Sequence, residues 1–468
     1  MNKTVKDLLQ RKTFIFSIVV ILFFALIALL APVLTSYNNP YQVSQQFVAA
    51  PYAVPSWATI FPQYHGLPPN VKVELQPNEP ISRFNTTFYK VTIPAGGEVN
   101  VTYNLLWNWS SPYNIDLSTT VVTPNTNDFQ INLFVNEFNI MSFSPLPIPP
   151  QVFIAPGKAN AIIFSSQEAT STNSPYVSSL PPQDAFLASV ELPKTLLPRP
   201  GVYHIVLSFQ NTGNKPETFL VSNLGYSSLG LTYGKLGTDD NGGSVFAEFV
   251  YGARFDLYLA LVASALIIGI GLIVGLLAGY IGGFTDLVLN AFTDFFLLIP
   301  GLPLLIVLIS ILDLTGAIVN VNKAVIILLI ISLLSWPGTA KIIRGQTLSL
   351  RNRTFVEASK ALGEGKARIL FRHIVPNLMG ILFAQLSYDV PGVILAESGL
   401  DFLGLGITGF PTWGNMLGFA TNNLSFVNGF AWWWVLPPGI GIILLSTAFY
   451  YFGSAMLDVL SPYKLRGE

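Results

Sequence analysis

Six apolar runs, each about long enough to cross a bilayer core, constrain this chain more than any other feature. They cover roughly 14–35, 257–280, 287–312, 324–343, 376–397 and 433–457, with few or no charges in their centres. Hydrocarbon offers the backbone no hydrogen-bond partner, so each run is expected to be a helix. Composition agrees: 51% of residues are hydrophobic and only 10% are charged, which excludes a disordered or nucleic-acid-binding chain. The first run follows Lys3, Lys6, Arg11 and Lys12 and extends from Phe14 to Leu34. A signal-peptide core usually spans about 7–15 residues, so this longer run is expected to be a retained span.

Lys and Arg set the orientation. Four lie ahead of the first run, eight lie in the 341–372 loop, and Lys464 and Arg466 follow the last run. The segment 398–432 has none. These positions predict an even number of spans with both termini in the cytoplasm, and place residues of about 37–250 outside the cell. That outer stretch is too long and too patterned for a loop. Apolar and polar residues alternate in 88–93, 98–103, 129–134 and 201–209, which predicts strands and suggests a β-sandwich. Asn211-Thr-Gly-Asn214 reads as a hairpin turn, and the Pro-rich 144–156 stretch as an edge crossing or a break between sub-modules. The chain has no cysteine, so this domain must hold together by its own core. Asn85, Asn100 and Asn108 each begin an N-x-[ST] sequon, a pattern common by chance.

Between the fourth and fifth runs lies a basic helix–glycine–helix element. Thr354 and Glu357 have the spacing of a capping box. Ala358, Ala361 and Leu362 continue a helix-forming sequence that Gly363 and Gly365 interrupt. A second short helix, about 366–374, is expected to stop near Pro376. Phe355, Ala358 and Leu362 share one face, a narrow apolar ridge suited to a groove. Spacing alone fits equally well a surface helix lying on lipid headgroups.

The segment Glu357-Ala358-Ser359, Gly363 and His373 to Pro376 resembles the EAA loop of importer-type ABC transporter permeases. Ser359 replaces the family's second Ala and Val375 replaces a Leu, while His373 is usual in the peptide-permease branch. The likeness extends to Gly237-Thr-Asp239, Tyr251-Gly-Ala-Arg254, Leu277-Ala-Gly-Tyr280 with Gly282-Gly283, and Asp294 with Ile299-Pro300. It continues through Trp336-Pro337, Arg344-Gly345-Gln346, Glu397, Phe402-Leu-Gly-Leu-Gly406 and Pro411-Thr-Trp-Gly-Asn-Met-Leu417. The last two motifs resemble the C-type subunit of dipeptide and oligopeptide permeases. Gly243 and Ser244 depart from the family's Arg and Asp. Asp256 and Asp389 stand where the family is usually apolar or small. The outer domain lies outside the resemblance.

The resemblance implies a polytopic α-helical membrane protein with six transmembrane helices and the importer-type ABC permease fold. A large β-rich, β-sandwich-like extracellular domain is inserted into it. The expected organisation is a cytoplasmic tail at 1–13, a first span at 14–36, the outer domain at 37–240, and a permease core at 241–468 with the coupling loop at 344–376. The implied function is one half of an ATP-driven, binding-protein-dependent peptide pore. Its implied partners are a homologous B-type permease subunit, two cytoplasmic ATPases, an extracellular substrate-binding protein and membrane lipid. Thr354, Glu357, Ala358, Ala361, Leu362, Gly363, His373 and Pro376 would couple the pore to the ATPases.

No G-x-x-x-x-G-K-[ST] phosphate loop is present, so ATP and Mg are expected on the partners, with no cofactor on this chain. Three scattered His and no Cys offer no metal site and no legible catalytic constellation. Asp389, inside the fifth run, is a candidate for the substrate path or for a subunit interface. A hydrogen-bonded packing residue fits the sequence equally. Glu397 is carried as a second path residue, although it, Asp401 and the glycines of 404–406 read first as pore-mouth architecture. Asp294 reads as an interhelical residue, and Trp432-Trp433-Trp434 as an interfacial anchor. The same machinery importing oligosaccharides remains an alternative. A secondary transporter would need paired ionisable groups in broken helices, and a membrane-anchored sensor would need no docking loop.

Overall fold

Alternating side chains build the unit Phe47–Ser244. Its strands are β1 Val71–Leu75, β2 Ser82–Arg83, β3 Phe88–Ile93, β4 Glu98–Trp107, β5 Asp116–Thr123 and β6 Phe129–Val135. β7 Phe138–Phe143, β8 Val152–Phe153, β9 Lys158–Ser165, β10 Gly201–Asn211, β11 Glu217–Ser222 and β12 Leu224–Ser228 follow. The computed structural model describes residues 8–35, 40–42, 46–78, 81–123, 129–136, 138–143, 152–153, 158–167, 175–179, 188–315, 322–407, 409–422 and 430–460. Lys3, Lys6, Lys464, Arg466 and most of the Pro-rich 144–156 stretch lie outside the described residues.

The strands form two antiparallel sheets. One runs β4-β10-β6-β7. In the other, β1-β12-β5-β11-β3-β2, strand β9 also pairs with β5 and β8 with β9. β11 and β12 follow one another along the same edge of β5, and the register slips by one residue between them. There the Ser222 hydroxyl takes the Thr120 amide at 2.9 Å. The inward residues of both sheets, among them Tyr103, Trp107, Leu133, Leu207, Phe209, Phe219 and Tyr226, make one buried apolar cluster. A core shared by two facing sheets is a sandwich.

The expected Asn211–Asn214 hairpin is corrected. β10 and β11 belong to different sheets, so the turn carries the chain across the sandwich. Asn211 fixes this crossing by accepting the Gly213 amide at 2.9 Å and donating to the carbonyls of Lys215 and Pro94. An Asx turn shapes the backbone locally without requiring its flanking strands to pair.

The second unit comprises residues 1–46 and 245–468. Its elements are α1 Lys12–Leu34, α2 Val245–Ile281, α3 Gly283–Leu298, α4 Gly301–Leu314, α5 Lys323–Arg351, α6 Thr354–Ala361, α7 Lys366–Phe402, α8 Trp413–Asn422 and α9 Trp432–Leu460. Five of these are long and apolar enough to span a bilayer, and the bent pair α3–α4 makes up to six. The continuous third span expected at 287–312 is therefore corrected: the chain bends by 77° at residues 299–300. Pro300 lacks an amide proton and forces Ile299 out of helix, to φ −78° and ψ 125°.

Small residues set the bundle's closest approach. α2 carries Gly271, Gly275 and Gly279 on one face, spaced four apart, and lays them on α5. A Cβ on Gly275 would stand 2.7 Å from the Ala340 carbonyl and 2.8 Å from Ile343 Cβ. Such small-residue stripes let helix backbones meet where no hydrophobic drive exists between helices in lipid. α9 packs on α7 in the same way, with Gly453 against Ser387. α1 joins α9 through stacked Phe14 and Phe452, and Arg11 pairs with Asp458 at 2.6 Å. Trp433 and Trp434 are buried in the bundle, so only Trp432 of the expected aromatic anchor is available to an interface.

Candidate functional site

α5 ends at Arg351 with Asn352 as its C-cap, and Arg353 turns into extended backbone before α6 starts at Thr354. Arg353 occupies the N-cap position and no side chain caps the helix. The capping box expected from Thr354 and Glu357 is therefore corrected. Thr354 already lies inside the first turn, where its hydroxyl cannot reach the amides that an N-cap serves.

Gly363 ends the helix at φ +80°, a conformation that burdens any side chain bearing a Cβ. The Gly363 amide closes on the Lys360 carbonyl and the Glu364 amide on the Ser359 carbonyl, so the turn folds back tightly. His373 then clamps it. Its Nε2 lies 2.9 Å from Glu364 Oε2 and 3.3 Å from Ser359 Oγ. One ring thus ties together the helix before the turn, the turn itself and the helix after it.

The second short helix does not stop at Pro376, which corrects the second expectation for this loop. The chain passes from Lys366–Ile369 through a wider π turn at Leu370–Ile374 directly into Val375–Phe402. Proline is tolerated at the start of a helical segment, where its missing donor costs little. The extra residue of a π turn provides that restart. Asn377 also donates to the His373 carbonyl at 2.7 Å, satisfying an acceptor at the break.

The loop is anchored on one side and open on the other. Val356, Ile369 and Ile374 are buried in a cluster with Leu276, Tyr280, Ile343, Leu378 and Leu382. The Lys360 ammonium lies over the Tyr280 ring, 5.7 Å from its centroid. Facing away, Leu362 is 85% exposed, Phe371 71% and Phe355 39%. Glu357, Ala358, Ala361 and Gly363 are exposed around them. Behind the loop, Arg344 grips both oxygens of Asp286 at 2.5 and 2.8 Å, and Lys341 meets Asp294 at 2.5 Å. These pairs tie α3 to α5, and Asp294 takes the interhelical place expected of it. The arrangement is a packed, ion-paired platform that presents a small apolar ridge.

The two proposed path residues are not brought together. Asp389 sits on α7 with Gln385 of the same helix at 3.1 Å and Thr339 of α5 at 3.4 Å. Glu397 lies eight residues further along, about 12 Å up the helix axis. It is fully buried beside Asp256 and Asp401. Asp401 holds the turn after α7, taking the Ile407 amide at 2.9 Å and the Thr412 hydroxyl. Asp256 takes the Trp413 amide at 3.1 Å. Trp413 is buried against Phe249 and Phe24. The pairing of Asp256 with the Pro411–Leu417 motif was invisible in the sequence, where they lie more than 150 positions apart. Its one signal was an acid at a position expected to be apolar. Among the described residues, no group of three acids or histidines is placed to hold a metal ion.

Sequence comparison with known proteins identifies the family. Residues 271–464 match the family described as binding-protein-dependent transport system inner membrane component. Residues 2–55 match the N-terminal TM domain of oligopeptide transport permease C. The dipeptide transport system permease protein DppC of Bacillus subtilis is 37% identical over 49% of this chain and 68% of its own length. The oligopeptide transport system permease protein OppC of Haemophilus influenzae is 32% identical over 49% of this chain and 70% of its own. A solved structure of the MetNI methionine ABC transporter, inward facing, covers 46% of this chain and 96% of its own at 16% identity, with a TM-score of 0.38. On the sequence matches, the chain belongs to the binding-protein-dependent transport system inner membrane component family, as a C-type permease of the dipeptide and oligopeptide branch.

Proposed function

We propose that this chain is the C-type permease subunit of an ATP-driven peptide importer and that the 354–376 loop is its coupling surface. The observation that carries the reading is the ridge of Phe355, Ala358 and Leu362, which stands exposed on a loop whose other face is packed into the bundle. An apolar ridge on a packed base suits insertion into a groove of a partner. That partner is a cytoplasmic ATPase, one of two. The chain carries no phosphate loop of its own, so ATP and Mg belong to the ATPases. A homologous permease supplies the other half of the pore, and a binding protein delivers the peptide. Closure of the ATPases pushes the loop, and the clamp by His373 passes the push into α7. The pore then alternates between outward and inward access. The Lys and Arg distribution supports a reading with this loop and both termini in the cytoplasm and the β-sandwich outside.

Gly363→Arg tests the coupling. The turn has open space around Gly363, so the bundle tolerates the bulk while the positive φ and the ridge geometry do not. The expected outcome is normal membrane insertion with peptide uptake lost. Uptake at the wild-type rate would remove the coupling assignment. Asp389→Asn tests the path in the same assay. A functional acid lowers uptake at least tenfold, whereas a packing residue leaves it unchanged because Asn keeps an acceptor for Gln385 or Thr339.

A further inference from the structure

The β-sandwich unit has a cleft that the import reading does not use. It is an open cleft of about 760 Å³ between the 56–69 segment, the loop after β4 and Thr232. We propose that this cleft binds a neutral saccharide.

The walls are built and fixed. The Ser110 amide donates to the Gly66 carbonyl at 2.9 Å, tying the β4 loop to the opposite wall. The Ser56 amide donates to the Gly234 carbonyl at 3.0 Å, and the Trp57 indole to the Lys235 carbonyl at 2.8 Å. The Leu231 amide adds a bond to the Pro68 carbonyl at 2.9 Å. Binding therefore would not require the cleft to be ordered first, which is where much affinity is otherwise lost.

The lining decides the ligand class. Trp109 is half-buried, held edge-on to the buried Trp107 at 5.2 Å and 73°. It offers an aromatic surface at the cleft. Ser56, Thr59, His65 and Asn108 supply hydrogen-bonding groups around it. Among the described residues, no Lys, Arg, Asp or Glu lines the cleft. A peptide carries an ammonium and a carboxylate at its ends, and sites for it place opposite charges there. A neutral sugar needs the reverse: an apolar surface for its C–H face and uncharged partners for its hydroxyls.

Such a sugar has two sources. Asn108 begins the sequon Asn108-Trp109-Ser110, and its side chain is exposed at the cleft rim. A glycan attached there would fill the cleft from within the chain. Otherwise the sugar comes from solution or the cell envelope.

The test uses the full chain purified from its host in a sugar-free detergent. Mass spectrometry of the Asn108 peptide reads any attached hexose. Calorimetric titration with maltotriose, cellotriose and chitotriose then reads binding, with trialanine as the peptide probe. If the sugar is external, Asn108 is unmodified and one trisaccharide binds the wild type. If it is internal, Asn108 carries a glycan and only Asn108→Gln, which keeps the amide but ends the sequon, binds a free trisaccharide. In both cases Trp109→Ala weakens binding at least tenfold in the protein able to bind. Ile60→Lys, an exposed change at the rim that leaves the core intact, does the same and covers the case where Trp109→Ala fails to fold. Saturable binding of trialanine in place of sugars overturns the proposal. So does an unmodified Asn108 with no trisaccharide bound, or trisaccharide binding that neither variant changes.

Discussion

The two units of this chain bury their interiors by opposite means. The β-sandwich fills its middle with large side chains, including Trp107, Phe209 and Phe219, none of them more than marginally exposed. The helical bundle makes its tightest contact by removing side chains, with Gly271, Gly275 and Gly279 flat against α5. Water explains the difference. The sandwich gains from every apolar group withdrawn from solvent, at about 25 cal/mol per Å². The bundle keeps large apolar residues such as Val33 and Leu298 exposed, because lipid accepts them. Helices in lipid gain instead from close van der Waals approach. A mutation should therefore act in opposite senses: added bulk breaks the bundle, and lost bulk breaks the sandwich.

Gly275→Leu is the sharpest way to break that comparison, and it carries the largest expected effect. Its Cβ alone meets the α5 backbone, so α2 and α5 must separate along their whole contact. The yield of monodisperse protein in detergent should fall at least tenfold. Gly269→Leu, on the same helix but with nothing within 4 Å, should leave the yield unchanged. Equal yields from the two variants would show that the glycine stripe does not set the packing.

Phe209→Ala makes the converse change in the sandwich. It should cost about 3–5 kcal/mol, the usual penalty for emptying a large aromatic site in a close-packed core. Hydrogen exchange of the β10 amides in the full chain reads the loss, because the slowest amides report global opening of their unit. Protection in α2 and α5 should not change.

The same contrast explains what was legible in the sequence. Strands β3, β4, β6 and β10 were readable because period two is a local signal, and burial on one face enforces it. The apolar runs were readable because hydrocarbon demands length and little else. Three features were not. The bend at Pro300 depends on one residue between two apolar stretches, 295–299 and 301–312, that read as one run. The passage of α7 through Pro376 depends on a π turn, which has no sequence signature of its own. The assignment of β10 and β11 to different sheets is a long-range choice that a four-residue turn motif does not encode. In the candidate site, the exposed ridge was legible from helical spacing. The His373 clamp on Glu364 and Ser359 was not, because it forms across the glycine turn. The burial of Glu397 with Asp256 and Asp401 joins two helices and was equally hidden.

That cluster offers a smaller test, confined to one turn of the bundle. Asp401→Asn keeps a single carbonyl acceptor where the carboxylate served both the Ile407 amide and the Thr412 hydroxyl. Leaving a buried donor without its acceptor costs about 1–3 kcal/mol. The Ile407 amide should therefore exchange roughly tenfold to a hundredfold faster, while β10 does not change. Unchanged exchange at Ile407 would mean that backbone bonds alone hold the turn.

The smallest effect belongs to a half-buried acid in the sandwich unit. Burial and the neighbouring Asp239 push the Asp240 carboxyl up to about 6, from an ordinary value near 3.8. The folded state then binds the proton more tightly than the unfolded state between about pH 4 and pH 6. Stability is highest below that window and falls as pH rises through it, because the ionised carboxylate is the form the fold disfavours. Solvent reaches much of the group, so screening reduces the effect to on the order of 1 kcal/mol. Protection of the β10 amides should be greater at pH 4 than at pH 7 by that amount, about fivefold in exchange rate after correction for intrinsic chemistry. Asp240→Asn should remove its share of the slope and raise protection at pH 7. A wild-type slope of the opposite sign, or one that survives the substitution whole, would place the pH dependence on other groups of the sandwich.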